Sequence, residues 1–152
     1  MEDAAVYPEI CNMTGTYNHN MDKKGRINFP VKLREQIGET FWISRSLSEK
    51  CLTVYSEAGW RDLERQINGL KGTMGEKMRR WLCASSMQVT PDQQGRILIP
   101  AALRKHAGLE PDDSVVVIGA GRKAEIWKEA VWEEMEANFD PTESGLLDEL
   151  YL

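Results

Sequence analysis

Hydrophobic and polar positions fall into the same order of short segments twice along the chain. From Thr14 to Met21 the character alternates around Thr16 and Tyr17, which predicts a strand running into a polar turn, Asp22 to Gly25. Asp opens turns by accepting backbone hydrogen bonds, and Gly takes backbone angles closed to other residues. Arg26 to Phe29 then predicts a short returning strand. Pro30 suits the first helical position, where its missing N–H costs nothing. Val31, Leu33, Arg34 and Ile37 have the spacing of a short amphipathic helix stopping at Gly38, expected as a left-handed C-cap. Phe41–Ile43 and Cys51–Tyr55 predict two strands joined by the polar turn Ser44–Lys50. Ser56 is placed to cap a helix through Leu70 with an apolar face of Trp60, Leu63, Ile67 and Leu70. Lys71-Gly72-Thr73 is expected to break it. A linking helix over Met74–Ala84 would carry Met78, Trp81 and Leu82 on one side, with Lys77, Arg79 and Arg80 around the other.

The cycle then recurs: a strand near Ser86–Thr90, a turn at Asp92–Gly95, a strand at Arg96–Ile99, a helix from Pro100 to Gly108, strands near Ser114–Ile118 and Ala124–Trp127, and a helix near Glu129–Asn138. The recurrence is literal. Asp22-Lys23-Lys24-Gly25-Arg26-Ile27-Asn28-Phe29-Pro30 returns 70 residues later as Asp92-Gln93-Gln94-Gly95-Arg96-Ile97-Leu98-Ile99-Pro100. Between positions 22 and 38 and their counterparts, 8 of 17 residues are identical, where about one would be expected by chance. Glu57-Ala58-Gly59-Trp60 answers Glu129-Ala130-Val131-Trp132, so the repeat reaches the closing helix. Internal repeats decide architecture. The expectation is an α+β chain with a flexible arm at 1–12, a first β-α-β module at 13–72, a linking helix at 73–85, a second module at 86–140 and a tail at 141–152. Units this small bury little core, and each alone would expose sheet edges. Pairing about an internal pseudo-two-fold axis into a small mixed barrel with helices at its rim would cover them.

Composition narrows the function classes. With 41% hydrophobic and 28% charged residues over 152 positions the chain reads as globular. It has no apolar run near the roughly 20 residues of a membrane span, and its acidic start is unlike a signal peptide. Cys11, Cys51 and Cys83 form no metal-ligand spacing and fit free thiols in a reducing compartment, so the expected location is cytoplasmic. The net charge of −5 is polarised. Residues 22–34 set Lys23, Lys24, Arg26, Lys32 and Arg34 against Asp22 alone, while from Glu125 onward one base, Lys128, faces nine acids. Such a molecule can turn a basic face to a polyanion.

An arginine leaving a Gly turn is suited to guanine, whose O6 and N7 a guanidinium bonds together, and Lys23 and Lys24 are suited to phosphates. From residue chemistry alone, a solvated structural turn explains Asp-x-x-Gly-Arg equally well. The residues that separate the readings are Thr14-Gly15-Thr16-Tyr17, Asp22-x-Lys24-Gly25-Arg26 with Pro30, and Asp92-x-x-Gly95-Arg96 with Pro100. Together they resemble the MraZ family, whose halves are each similar to the AbrB-type swapped-hairpin DNA-binding module; the resemblance covers residues 13 to about 140. It implies a bacterial transcriptional regulator, generally a repressor, of the division and cell-wall operon. Such a protein binds short direct repeats in double-stranded DNA as a ring-shaped homo-oligomer and is nucleoid-associated. By position it implies Arg26 and Arg96 as base readers, with Lys23, Lys24, Gly25 and Gly95 at the DNA. Asp22, Asp92, Pro30 and Pro100 would structure the loops. Gln93-Gln94 in place of Lys23-Lys24 makes the second loop electrostatically weaker.

Nothing else converges on chemistry. Ile118 to Lys123 lacks the ending of a phosphate loop and reads as a hairpin turn. His19 and His106 have no nucleophile at motif spacing. The paired glutamates of 129–136 read as an exposed acidic face, and the five tryptophans as core and interface. No enzyme activity, cofactor, metal or small-molecule substrate is expected. Arg79 and Arg80 are open between a solvated face and a salt bridge to the acidic closing helix of a neighbouring subunit. The alternative function is an AbrB-type antitoxin-like module that holds a partner protein with its acidic tail, with DNA binding secondary.

Overall fold

The computed structural model describes residues 12–151; the arm expected at 1–12 lies, apart from Asn12, outside the described residues. Among the described residues eight strands and five α-helices follow one another: β1 Thr16–Asn20, β2 Arg26–Asn28, α1 Val31–Ile37, β3 Phe41–Arg45, β4 Leu52–Tyr55, α2 Glu57–Asn68, α3 Gly72–Ser85, β5 Met87–Val89, β6 Arg96–Leu98, α4 Ala101–Ala107, β7 Ser114–Gly119, β8 Ala124–Lys128 and α5 Glu129–Ala137. Short 3-10 turns at Pro141–Glu143 and Leu147–Glu149 end the described chain.

The strands form an antiparallel six-stranded sheet in the order β1-β7-β8-β4-β3-β5 and a separate ribbon of β2 with β6. The pairing is reciprocal between halves. β1 lies along β7, with Thr16 opposite Ile118, and β5 lies along β3, with Val89 opposite Phe41. β4 meets β8 in the middle of the sheet. The closed barrel expected from the sequence does not form: among the described residues β1 and β5 are the edges of the sheet. Among the described residues β2 and β6 pair only with each other. Each is three residues long and runs from a Gly turn to a proline that has no N–H to continue a ladder.

Repeat-equivalent apolar residues converge on one core. Ile27 and Ile97, Phe29 and Ile99, and Leu33 and Leu103 are buried in one cluster with Phe41, Ile43, Leu52, Val54, Val115, Val117 and Ile126. Phe29 stacks on Phe41 with ring centroids 4.6 Å apart. Each such side chain stabilises the fold by roughly 1.5–3 kcal/mol relative to exposure, and half of every matched pair comes from each repeat. Trp60, Ile67 and Leu82 fasten α2 and α3 in a smaller cluster, where Trp42 stacks on Trp60 at 4.7 Å.

Several local expectations shift. Pro30 and Pro100 stand one residue earlier than expected, as N-caps, with their carbonyls accepting from the Arg34 and Arg104 amides at 3.0 and 2.9 Å. The left-handed cap expected at Gly38 is not found there, since Gly38 has φ 101° and ψ 174°, an extended glycine-only conformation; its repeat equivalent Gly108 is left-handed. Ser56 does cap α2, its Oγ accepting from the Gly59 amide at 3.0 Å. Leu70 is not on that helix's buried face but past its end, exposed. The break falls at Gly69–Lys71, and Gly72 already opens α3. Arg79 is half-buried and held by its own chain. Its Nη1 donates to the Leu70 and Ile67 carbonyls at 2.7 and 3.3 Å, a cation on the negative end of α2.

Candidate nucleic-acid interface

The two Asp-x-x-Gly-Arg segments adopt one geometry. The Asp22 amide donates to the Arg26 carbonyl at 2.9 Å and the Gly25 amide returns to the Asp22 carbonyl at 3.1 Å, closing the loop. Gly25 and Gly95 have φ of 84° and 81°, angles that disfavour any residue with a Cβ. Asp22 Oδ1 accepts from the Lys24 and Arg26 amides at 2.9 and 2.8 Å, and its Oδ2 accepts from Arg26 Nε at 2.7 Å. Asp92 repeats this with the Gln94 and Arg96 amides, both at 2.9 Å, and with Arg96 Nε at 3.0 Å. The Arg26 amide foremost, then the guanidinium and the Lys24 amide, hold the Asp22 carboxyl below its ordinary range; the Arg96 and Gln94 donors do the same to Asp92. Each aspartate therefore stays ionised and fixes the arginine by Nε. The Nη groups of Arg26 and Arg96 bond no other described residue, and these carry the fork that a bidentate contact uses.

The ribbon between the loops sets where the arginines lie. Arg26 is opposite Leu98, Ile27 opposite Ile97, and Asn28 opposite Arg96. Directly paired residues share a face and faces alternate along a strand. Arg26, Leu98, Asn28 and Arg96 are therefore together on one face, and Ile27 and Ile97 are buried on the other. Asn28 and Leu98 are exposed there, Leu98 by 54%. They were missed in the sequence, although period-two alternation from buried Ile27 and Ile97 identifies them. The loops lie at opposite ends of this ribbon, since the Ile99 amide donates to the Gly25 carbonyl and the Phe29 amide to the Gly95 carbonyl, both at 2.9 Å. Four strand steps put the two glycines roughly 13 Å apart.

The remaining anticipated residues divide. Lys24, Gln93 and Gln94 are exposed at the loop tips. Lys23 is 88% exposed, with Nζ 3.7 Å from Asp112 Oδ2, a contact too long and too hydrated to hold it from another anion. Pro30 and Pro100 turn the chain from the ribbon into α1 and α4. Gly119 to Lys123 is a hairpin turn as expected, closed by the Ala120 amide on the Lys123 carbonyl at 2.8 Å. Among the described residues no group of three or more His, Cys, Asp or Glu side chains is gathered for a metal, and no helix is long and apolar enough to cross a membrane. Burial pushes the Cys51 thiol up to about 12, which leaves it protonated and inert.

Two stretches, 13–77 and 82–146, match the family described as "MraZ protein, putative antitoxin-like". The chain is 41% identical over 130 residues to the transcriptional regulator MraZ of Thermoanaerobacter sp. (strain X514), covering 84% of this chain and 89% of that one. It is 38% identical over 138 residues to the transcriptional regulator MraZ of Heliobacterium modesticaldum, covering 90% and 94%. Among solved structures, the solution structure of PHS018 from Pyrococcus horikoshii aligns over 77% of this chain and 96% of that one, with a TM-score of 0.33 and 16% identity.

Proposed function

We propose that this chain, which belongs to the MraZ family, is a transcriptional regulator that reads promoter DNA with the outward face of the β2–β6 ribbon. Arg26 and Arg96 would lie on guanine edges, and Lys23 and Lys24 on phosphates. The observation that carries this is the fixing of both arginines by Nε to ionised aspartates, which leaves two forks on one face of a ribbon. A two-stranded ribbon fits the major groove, about 12 Å across, close to the spacing of the two loops. Fixing the stem before binding reduces the entropy that ordering the side chain would cost. The reciprocal strand pairing supports a swapped-hairpin arrangement about an internal pseudo-two-fold axis, with modules at 13–72 and 86–140 joined by α3.

We further read the protein as a ring-shaped homo-oligomer, a repressor of the division and cell-wall operon in the nucleoid, binding direct repeats. Two complementary surfaces support self-association. Met74, Met78, Trp81 and Leu47 are exposed on and beside α3, with Lys77 and Arg80 among them. From Glu129 to Tyr151 there are eight acids and no base, and Leu146, Leu147 and Leu150 are exposed. Different surfaces meeting head to tail generate a ring, and a ring presents identical loops in the same sense to successive sites, hence direct rather than inverted repeats. Light scattering with anisotropy on duplexes carrying direct or inverted half-sites tests both. Expected are a closed oligomer and preference for direct repeats; a monomer, or equal binding of inverted sites, would overturn the ring.

A further inference from the structure

We propose that each loop is held in its reading position by an arginine of the opposite half: Arg104 for the Asp22–Arg26 loop and Arg34 for the Asp92–Arg96 loop. This rests on Arg26 and Arg96 being the base readers.

The sequence pairs Arg34 with Arg104 as repeat equivalents and says nothing of where they reach. In the fold each crosses over. A Cβ built on Gly25 would collide with Nη1 of Arg104 and come within 3.0 Å of its Cζ, so the guanidinium packs closely against the loop at Gly25. The same Nη1 donates to the Ile99 carbonyl, and the Ile99 amide donates to the Gly25 carbonyl at 2.9 Å. Arg104, the Ile99 peptide and Gly25 thus form a continuous bonded path that ends one residue before Arg26. On the other side, Arg34 Nη1 is 3.3 Å from the Cβ position of Gly95, and the Phe29 amide donates to the Gly95 carbonyl at 2.9 Å. Arg34 has no bond matching that of Arg104 to Ile99 among the described residues. The tighter hold therefore serves the loop with Lys23 and Lys24, and the looser one serves the loop with Gln93 and Gln94. Arg104 and Arg34 are positioning residues. They act through the loop backbone, so each half adds a hold on the loop of the other.

Double-mutant cycles test the crossing, because only residues acting through one unit depart from additivity. Anisotropy would be read on a specific and a scrambled duplex across salt, for Arg104→Gln and Arg34→Gln alone and with Arg26→Ala or Arg96→Ala. Arg104→Gln should weaken specific binding roughly tenfold, within the range of one bidentate base contact, with scrambled-duplex affinity and salt slope unchanged. It should add little on the Arg26→Ala background and its full effect on Arg96→Ala. Arg34→Gln should show the opposite partnership and a smaller loss. Arg104→Lys keeps the charge without the planar fork and should not restore binding. Coupling to the arginine of the same half would overturn the proposal. So would additivity with a salt slope reduced by about one and rescue by Lys, which marks a direct phosphate contact. Amide shifts in DNA-free protein separate this failure from that of the function: Arg104→Gln should move Gly25 and Arg26 but not Gly95, whether or not Arg26 proves to read DNA. If Arg104→Gln does not fold, Arg104→Lys and Arg34→Gln read the same shifts, and a Gly25 shift unmoved by Arg104→Lys would overturn the clasp.

Discussion

Asp22 holds Arg26 at both ends: Oδ1 takes its backbone amide at 2.8 Å and Oδ2 takes its Nε at 2.7 Å. One carboxylate so fixes the chain direction and the side-chain stem of the residue proposed to read a base. Asp22→Asn keeps an oxygen for the amides but sets an NH2 group against Nε, which cannot accept. Asp22→Ala loses both. Specific DNA binding should fall by about 1 kcal/mol for Asn and by about 2 kcal/mol for Ala. Binding to a scrambled duplex should rise slightly in both, because a negative charge near phosphate is removed. Equilibrium anisotropy on the two duplexes checks the order.

The same contacts set a pH response. Asp22 and Asp92 bind protons less readily folded than unfolded, so their stabilisation is complete above the ordinary value of 3.8 and is lost as pH falls through their lower folded values. His19 acts in the same sense at higher pH. Burial lowers its folded value below 6.5, and its Nε2 is buried without a described partner, so charging it opposes folding. Tm should be level from pH 8 to 6.5, begin to fall below 6.5, and fall again below 3.8. In His19→Gln the first decline should disappear and the second remain, which calorimetry across pH resolves.

Gly25→Ala and Gly95→Ala make the same chemical change at matched positions but should not cost the same. Both must hold a positive φ, worth about 1–3 kcal/mol of strain. Only at position 25 does the new methyl also collide with Arg104; at position 95 the Arg34 nitrogen is 3.3 Å away and can give slightly. Gly25→Ala should be the more destabilising in urea melts, and Arg104→Ala should recover part of that excess.

Ser56→Ala removes the side-chain acceptor of the Gly59 amide at the buried start of α2. A loss of about 1 kcal/mol of stability is expected, with DNA binding unchanged, since α2 lies away from the loops. Chemical denaturation together with anisotropy separates the two effects.

What could be read from the chain was local. Asp followed by Gly and Arg specifies its own turn through bonds spanning four residues, and the repeat doubled the signal, so both loops and the order of strands and helices were legible. What crosses between halves was not. No short-range pattern tells that β1 would lie along β7, that β2 and β6 would form a ribbon apart from the sheet, or that Arg104 would reach Gly25. Arg79 misled for a related reason: its partners are backbone carbonyls at the end of a preceding helix, which leave no mark in side-chain chemistry. Leu70 kept helical spacing, but the helix had ended at Asn68. Asn28 and Leu98 were within reach of the alternation rule, yet a three-residue strand offers too short a run for it to stand out. Membership of the MraZ family fixes the class of function, and the ribbon supplies the face on which it would act.

The central claim is that Arg26 and Arg96 read DNA. The measurement that meets it most directly is fluorescence anisotropy of a duplex from immediately upstream of the protein's own gene, at low and moderate salt, for wild type, Arg26→Ala and Arg96→Ala. Wild type should bind that duplex well above a scrambled one. Arg26→Ala should lose about 1–3 kcal/mol together with the preference, and Arg96→Ala should lose less, its loop having Gln93-Gln94 in place of lysines. Equal weak binding to both duplexes, or unchanged affinity in both variants, would contradict it and leave the repeated loop a structural turn.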